Sequence, residues 1–406
     1  MIHHVTMQHA AATLLAASLL AFTSTGCGGA DEGDSAKAFD RSVLHRIDIT
    51  VDSEDIGELE TNLDARVPCV FAFDDVTVEE TGIRQKGGLN SLTNLDTDLG
   101  LPKPSFSVKL DEFDENGDLY GLRKIILNSA VQDPSFLHQH FGSDLAQKAG
   151  LPAARTTHGL VSLNGVSLGI YIVTESIDTD FLGRVFGSEN DQGNLYEGRK
   201  ADFTEVAQME LKDEEKDDRS RDDMSALADV VLTTPQAELE GALRARMDLD
   251  RFITAFAFET AINHFDGFAF NRNNYYLYNN PADDRFVFIP HGMDRIVQLP
   301  AGEDDTLADD PEARLPQLIL ADPALKAAFL AELARIGNQL WDLPAIFAEI
   351  DRITAVVSAA KVTGVRAEGD LSAFKANGTY FREALTKRRD ELVNATAAEG
   401  PSSPAE

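Results

Sequence analysis

Positive charge is scarce in this chain. Its 406 residues carry 36 Lys and Arg against 68 Asp and Glu, a formal net charge of −32. A field of that sign argues against nucleic acid or an anionic membrane face as a main partner, because both would repel it. Local basic pockets remain compatible with it. Cysteine is nearly missing: Cys27 and Cys69 alone exclude a disulfide framework and a cysteine-built zinc site. Tryptophan occurs once, at Trp341, where core packing is the default. The histidines, among them His138, His140, His158, His264 and His291, show no HExxH spacing, no GxSxG elbow occurs, and no internal repeat is visible. What is present is a 43% hydrophobic composition, enough to bury a real core in two or three packed units or one large domain.

Residues 1–27 contain no Asp, Glu, Lys or Arg, and residues 10–22 form an apolar run. That run is short for a bilayer span and suits a signal h-region. It ends in Ser24-Thr25-Gly26-Cys27, followed by a flexible tether over residues 28–40. The ending resembles the lipobox of bacterial lipoproteins, although Ser24 stands where Leu is usual and the preceding segment carries histidines. The resemblance implies lipidation of Cys27 and an extracytoplasmic, membrane-anchored place in the cell envelope, with plain secretion as the alternative. Cys69 is then an unpaired thiol, expected to be buried and inert.

The body reads as strands, then helices. Residues 45–51 alternate apolar and polar side chains, the period of a half-buried strand, and strand-like runs follow at 67–73, 81–85, 105–110, 124–127, 159–163 and 169–174. Glu115-Asn116-Gly117-Asp118 and Asn164-Gly165 are hairpin turns. One helix interrupts this half, over 136–149, opened by Asp133-Pro134-Ser135 and stopped by Gly150. Residues 212–223 are a charge run, read as a solvated linker or helix face. Helices are predicted at 235–246, 249–265, 323–343, 343–357 and 372–398, with a hairpin at 275–279 and 285–289. Phe252, Phe256 and Ile262 should face the core. The fold class is α+β: a β-rich N-terminal lobe over 41–197, a mainly helical C-terminal lobe over 198–396, and a disordered tail over 397–406.

Two stretches could carry chemistry. Arg84-Gln85-Lys86-Gly87-Gly88 followed by Lys103-Pro104-Ser105-Phe106 puts a basic Gly-Gly turn between strands, a shape that surrounds phosphates with N–H groups and ammonium charge. Taken alone, it is also an ordinary hairpin. In the second stretch, Asp266 ends a helix, Asn271 and Asn274 enter a strand, and Asp294 follows the next strand. An acid, an amide and a second acid in that order suit phosphoryl transfer: one carboxylate orients an acceptor hydroxyl, and the amide and second carboxylate hold Mg²⁺. Capping and turn formation by the same residues is the bland alternative.

The order of motifs resembles the CotH kinase family. The resemblance rests on Arg84 to Gly87, Lys103-Pro104-Ser105-Phe106, Leu127-Asn128-Ser129 with Asp133-Pro134-Ser135, and Leu163-Asn164-Gly165. It continues through Leu168-Gly169-Ile170-Tyr171, Thr174-Glu175, Gly193-Asn194-Leu195-Tyr196, Asp266, Asn274-Tyr275-Tyr276-Leu277-Tyr278 and Ile289-Pro290 leading to Asp294. It spans about residues 45–395 and implies a divergent protein-kinase-like two-lobe fold. ATP with Mg²⁺ (or Mn²⁺) would bind between the lobes, and phosphate would pass to Ser or Thr of an acceptor protein. On that resemblance Asp266 is the catalytic acid. Asp294 with Asn274 or Asn271 holds metal, while Lys86, Gly87, Gly88 and Lys103 contact nucleotide and Glu175 marks the link between lobes. Two departures stand out. Many members read Pro-Trp-Asp-x-Asp where this chain reads Pro290-His291-Gly292-Met293-Asp294, and the helix at 136–149 has no Glu to pair with a nucleotide lysine. Those departures leave a non-catalytic scaffold of the envelope or coat as the alternative.

Overall fold

The computed structural model describes residues 34–87, 103–212, 220–297 and 311–398. The signal-like segment, Cys27, Gly88 and the tail from 399 lie outside the described residues.

Seven strands close into a barrel: β1 (His45–Thr50), β2 (Val67–Phe73), β3 (Val76–Lys86), β4 (Ser105–Lys109), β5 (Lys124–Asn128), β6 (Thr156–Leu163) and β7 (Val166–Glu175), in the order β1-β2-β3-β4-β5-β7-β6. A short helix, α1 (Ile56–Thr61), lies between β1 and β2, and α2 (His138–Ala149) between β5 and β6. All contacts are antiparallel except β1 with β6, which closes the ring in parallel. Ile47, Phe71, Ile83, Phe106, Ile125 and Val173 point inward and are fully buried. Cys69, also buried, sits beside Thr81, and burial pushes its thiol up to about 11.

Strand β7 explains why one run reads as continuously apolar. Tyr171 and Val173 belong to the barrel interior, whereas Ile170 and Ile172 belong to the core of the helical part. A strand covered on both faces has no polar side to display.

Beyond the barrel come α3 (Thr179–Phe186), β8 (Leu195–Gly198), β9 (Glu210–Leu211), α4 (Asp222–Thr233), α5 (Gln236–Arg244), α6 (Leu249–Ala261) and α7 (Phe268–Asn271). They are followed by β10 (Tyr275–Asn280), β11 (Arg285–Pro290), α8 (Arg314–Ala321), α9 (Pro323–Arg335), α10 (Leu343–Ala359) and α11 (Val365–Ala398). Strands β11-β10-β8-β9 form a second sheet. Phe252, Phe256 and Ile262 are buried in the helical core as expected, with Trp341. Asp248 caps α6 by accepting the Arg251 N–H at 3.1 Å, and Asp322 caps α9, with Pro323 in its first turn.

Several boundaries differ from expectation. Helix α2 starts at His138, because Phe136 adopts φ 54° and Asp133 accepts the N–H groups of Ser135 and His138 instead of capping at 133. Gly150, with φ 87°, ends it as predicted. Helix α6 stops at Ala261, not 265: Asn263 turns left-handed, and the Arg388 guanidinium of α11 takes the Thr260 and Ala261 carbonyls. The predicted helix at 323–343 gives way at Arg335 to a wider turn over Ile336–Leu340. Strand β8, inside the predicted 41–197 save for Gly198, lies outside the barrel and pairs with β10 in the second sheet.

Candidate functional site

A cavity of about 170 Å³ lies between the barrel and the second sheet. Lys86, Gly87 and Ser105 reach it from the barrel, Glu175 from the end of β7, and Gly292 and Asp294 from the segment after β11. Lys86 closes β3 opposite Ser105, the first residue of β4, so the register puts both on the outer face while Gln85 and Phe106 turn inward. Burial pushes the Lys86 amine down to about 8, partly offset by the field of Glu197 on β8. Burial raises Glu197 in its turn, but the cations around it prevail and hold it at about 2; Lys212 and Arg199 pair with it at 3.0 and 3.2 Å. Strand β8 thus sets a carboxylate in the field of Lys86, whereas helix α2 has no Glu.

Asp294 is pushed up to about 6, first by burial and then by the neighbouring carboxylates Asp133 and Asp266. Asp266 accepts hydrogen bonds from the side-chain amides of Asn271, Asn273 at 3.1 Å and Asn274 at 3.0 Å. Lys200 approaches it at 4.0 Å. Asn274 also donates to the Asp266 carbonyl, so both candidate asparagines belong to one constellation with that acid. His264, just before it, donates from Nε2 to the His291 carbonyl at 2.9 Å and ties the Asp266 loop to the Asp294 segment. Gly292 lies against this group with φ 64°; a Cβ there would stand 2.5 Å from Asn274 Cγ. The position after His291 therefore admits no side chain in this conformation.

Two predicted residues are engaged elsewhere. Lys103 does not join Lys86: its Nζ donates to the Ile170 carbonyl and to Asp370 of α11 at 2.7 Å, beneath the rings of Phe136 and Tyr171. Glu175 lines the cavity, yet both its oxygens are taken by Arg155 at 2.7 Å and Arg184 at 2.6 Å. Gly88 lies outside the described residues. Sequence reasoning missed Glu197 and Lys200: the pairing of β8 with β10 sets Glu197 opposite Tyr276 of the cavity wall, and Lys200, just after β8, approaches Asp266. A separate trio, His140, Asp144 and Glu349, gathers within 4.8 Å. Arg41 lies 2.7 Å from Asp144 and Arg352 2.7 Å from Glu349, so arginines already balance these acids.

The donors around Asp294 are carboxylate and amide oxygens, the hard ligands that Mg²⁺ or Mn²⁺ prefers. The repulsion that Asp133 and Asp266 exert on the Asp294 carboxylate is what a cation beside Asp294 would relieve. The fold and site define a mixed α+β protein with a closed barrel above a cleft that has a lysine on one side and carboxylates on the other.

The chain belongs to the CotH kinase family: the sequence pattern described as CotH kinase protein matches residues 83–392. A curated relative, the inner spore coat protein H of Bacillus subtilis (strain 168), is 26% identical over 184 residues, covering 43% of this chain and 50% of that protein. The chain thus matches about half the length of that relative. Among solved structures, the Helicobacter pylori proinflammatory kinase CtkA is 11% identical, with 76% of this chain and 95% of that chain covered, at a TM-score of 0.30. HipA of Shewanella oneidensis MR-1, in its complex with HipB and operator DNA, is 11% identical over 87% of this chain and 74% of that one, also at 0.30. Structural likeness that low carries no argument about this chain.

Proposed function

We propose that this chain is a kinase-like phosphotransferase that moves a phosphoryl group from ATP to a Ser or Thr hydroxyl of an acceptor protein. The observation that carries the reading is the single cleft in which Lys86 faces Asp294, with Asp266, Asn271 and Asn274 hydrogen-bonded behind it. Asp294 and Asn274 would hold Mg²⁺ or Mn²⁺, which when bound supplies charge neutralisation at the phosphates. Lys86, kept near the point of losing its proton by burial, gains most from an anionic partner and would take phosphate oxygens together with the Gly87 N–H. Asp266, its oxygens oriented by amide donors, would accept or orient the acceptor hydroxyl proton. We extend the proposal to an envelope location with an anchor on Cys27, supported by the signal-like residues 1–27.

Calorimetry of the chain with ATP and Mg²⁺, Mn²⁺ or chelator, beside Asp294→Ala and Asp266→Ala, tests the reading. Metal-dependent binding is expected to disappear in Asp294→Ala; in Asp266→Ala binding persists and phosphate transfer is lost. The second reading, a non-catalytic scaffold, is favoured by Gly292, whose left-handed backbone against Asn274 leaves no room for an additional carboxylate. No nucleotide binding with either metal would establish that reading over the first.

A further inference from the structure

We infer that Glu259 is a positioning residue for the loop that carries Asp266; the inference rests on the reading of that loop as the acceptor-activating element. Glu259 lies near the end of α6, 1% exposed. Its carboxylate accepts the N–H groups of Phe268 at 3.1 Å and Ala269 at 2.9 Å, the first two residues of α7. Those first-turn donors have no partner inside their own helix. Its backbone carbonyl meanwhile accepts the His264 N–H at 2.8 Å. One residue therefore closes both ends of the segment from His264 to Gly267, and Asp266 sits between the two attachments.

The chemistry of the side chain matters. Two adjacent N–H donors call for two acceptor oxygens in one plane, which a carboxylate provides. A Gln amide provides one oxygen and turns an NH₂ group towards the second donor. Among the described residues no cation pairs with Glu259, and burial pushes it up to about 7 against the pull of the two N–H groups. Gly267 is part of the same device: a Cβ there would stand 2.8 Å from Glu259 Oε1 and 2.8 Å from His264 Cδ2. Helix α7 then ends at Asn271, whose amide holds Asp266, so the order of support runs from Glu259 through α7 to the acid.

The test compares the full chain with its Glu259→Gln and Gly267→Ala variants. Three quantities are read: amide hydrogen exchange, binding of ATP with Mg²⁺, and the rate of phosphate transfer to a Ser/Thr-containing protein. In Glu259→Gln, exchange at Phe268 and Ala269 should speed up about 10-fold while α9 and α10 keep their protection. Transfer should slow about 10- to 100-fold with ATP affinity held within about twofold. Unchanged loop exchange and unchanged transfer would overturn the inference. Exchange accelerated throughout α9 and α10 would mean that Glu259→Gln has lost the fold. Gly267→Ala, which displaces the carboxylate without changing it, then decides: loop-confined loss of protection supports the inference, and full protection overturns it. A wild-type chain that transfers no phosphate overturns the proposed function, and the exchange measurement still decides the placement of Glu259.

Discussion

The cleft beneath the barrel and the seam between the barrel and α11 each hold a lysine that burial pushes down to about 8. In the seam, Lys103 has its answer within the chain: Asp370 at 2.7 Å, the Ile170 carbonyl, and two aromatic rings whose centroids lie 4.8 Å away. In the cleft, Lys86 has no ion pair among the described residues and feels Glu197 only through its field. The same desolvation is thus offset by an ion pair at one place and, among the described residues, by none at the other. On the proposed function, the uncompensated lysine beside a cavity belongs to the binding site and the saturated pair to the architecture.

A matched set of substitutions can break that contrast. Lys103→Ala should have the largest effect, about 3–5 kcal/mol lost in urea unfolding, because it removes the ammonium that balances the part-buried Asp370 and leaves the Ile170 N–H bond to hold that charge. Gly169→Ala comes next. Its φ of 93° is unsuited to a side chain, and the added Cβ would collide with Asp370 Oδ2, so a loss of about 2–3 kcal/mol is expected by the same measurement. A stability near wild type in either variant would remove the seam from the comparison.

The cleft should respond in the opposite sense. For Asp294, whose folded value of about 6 lies above its ordinary 3.8, the fold disfavours the charged form. Stability from this group is present below about pH 3.8 and is lost as pH rises through 6. Asp294→Asn should therefore gain about 1–2 kcal/mol at pH 8 over wild type without metal, and nothing at pH 3.5. A gain equal at both values would show that charge is not its source. Gly292→Ala should cost about 1 kcal/mol of stability, and by displacing Asn274 it should weaken Mg²⁺-dependent ATP binding. Lys86→Ala should change stability by less than about 1 kcal/mol while weakening ATP binding about 10-fold. Equal stability losses in Lys86→Ala and Lys103→Ala would sink the distinction between the two regions.

Much of the secondary structure was legible because its signals are local. Every barrel strand overlaps a predicted run, Asn164-Gly165 makes the β6–β7 turn with both residues at positive φ, and Gly150 stops α2. The short helices α1, α3, α7 and α8 escaped because each has too few turns to display a periodicity; the 12-residue α4 escaped as well, its start lying inside the 212–223 charge run. Of the candidate site, Lys86, Gly87, Glu175 and Asp294 share one cavity, with Asp266, Asn271 and Asn274 as a second hydrogen-bonded group beside Gly292. Lys103 misled because a basic residue before a strand looks the same whether it faces a phosphate or an aspartate 267 positions away.

Alternation, turn residues and caps act over a few residues, so sequence by itself determined where the barrel strands, the β10–β11 hairpin and helices α2, α5, α6, α9, α10 and α11 lie, and which acids and amides fall close together. The closing of β1 onto β6, the transfer of β8 to the second sheet, the capture of Lys103 by Asp370 and the support of α7 by Glu259 were decided only in the tertiary structure. Each depends on hydrogen-bonding and charged groups that find partners far along the chain once burial has removed water as the alternative. That requirement leaves no periodic trace in the sequence.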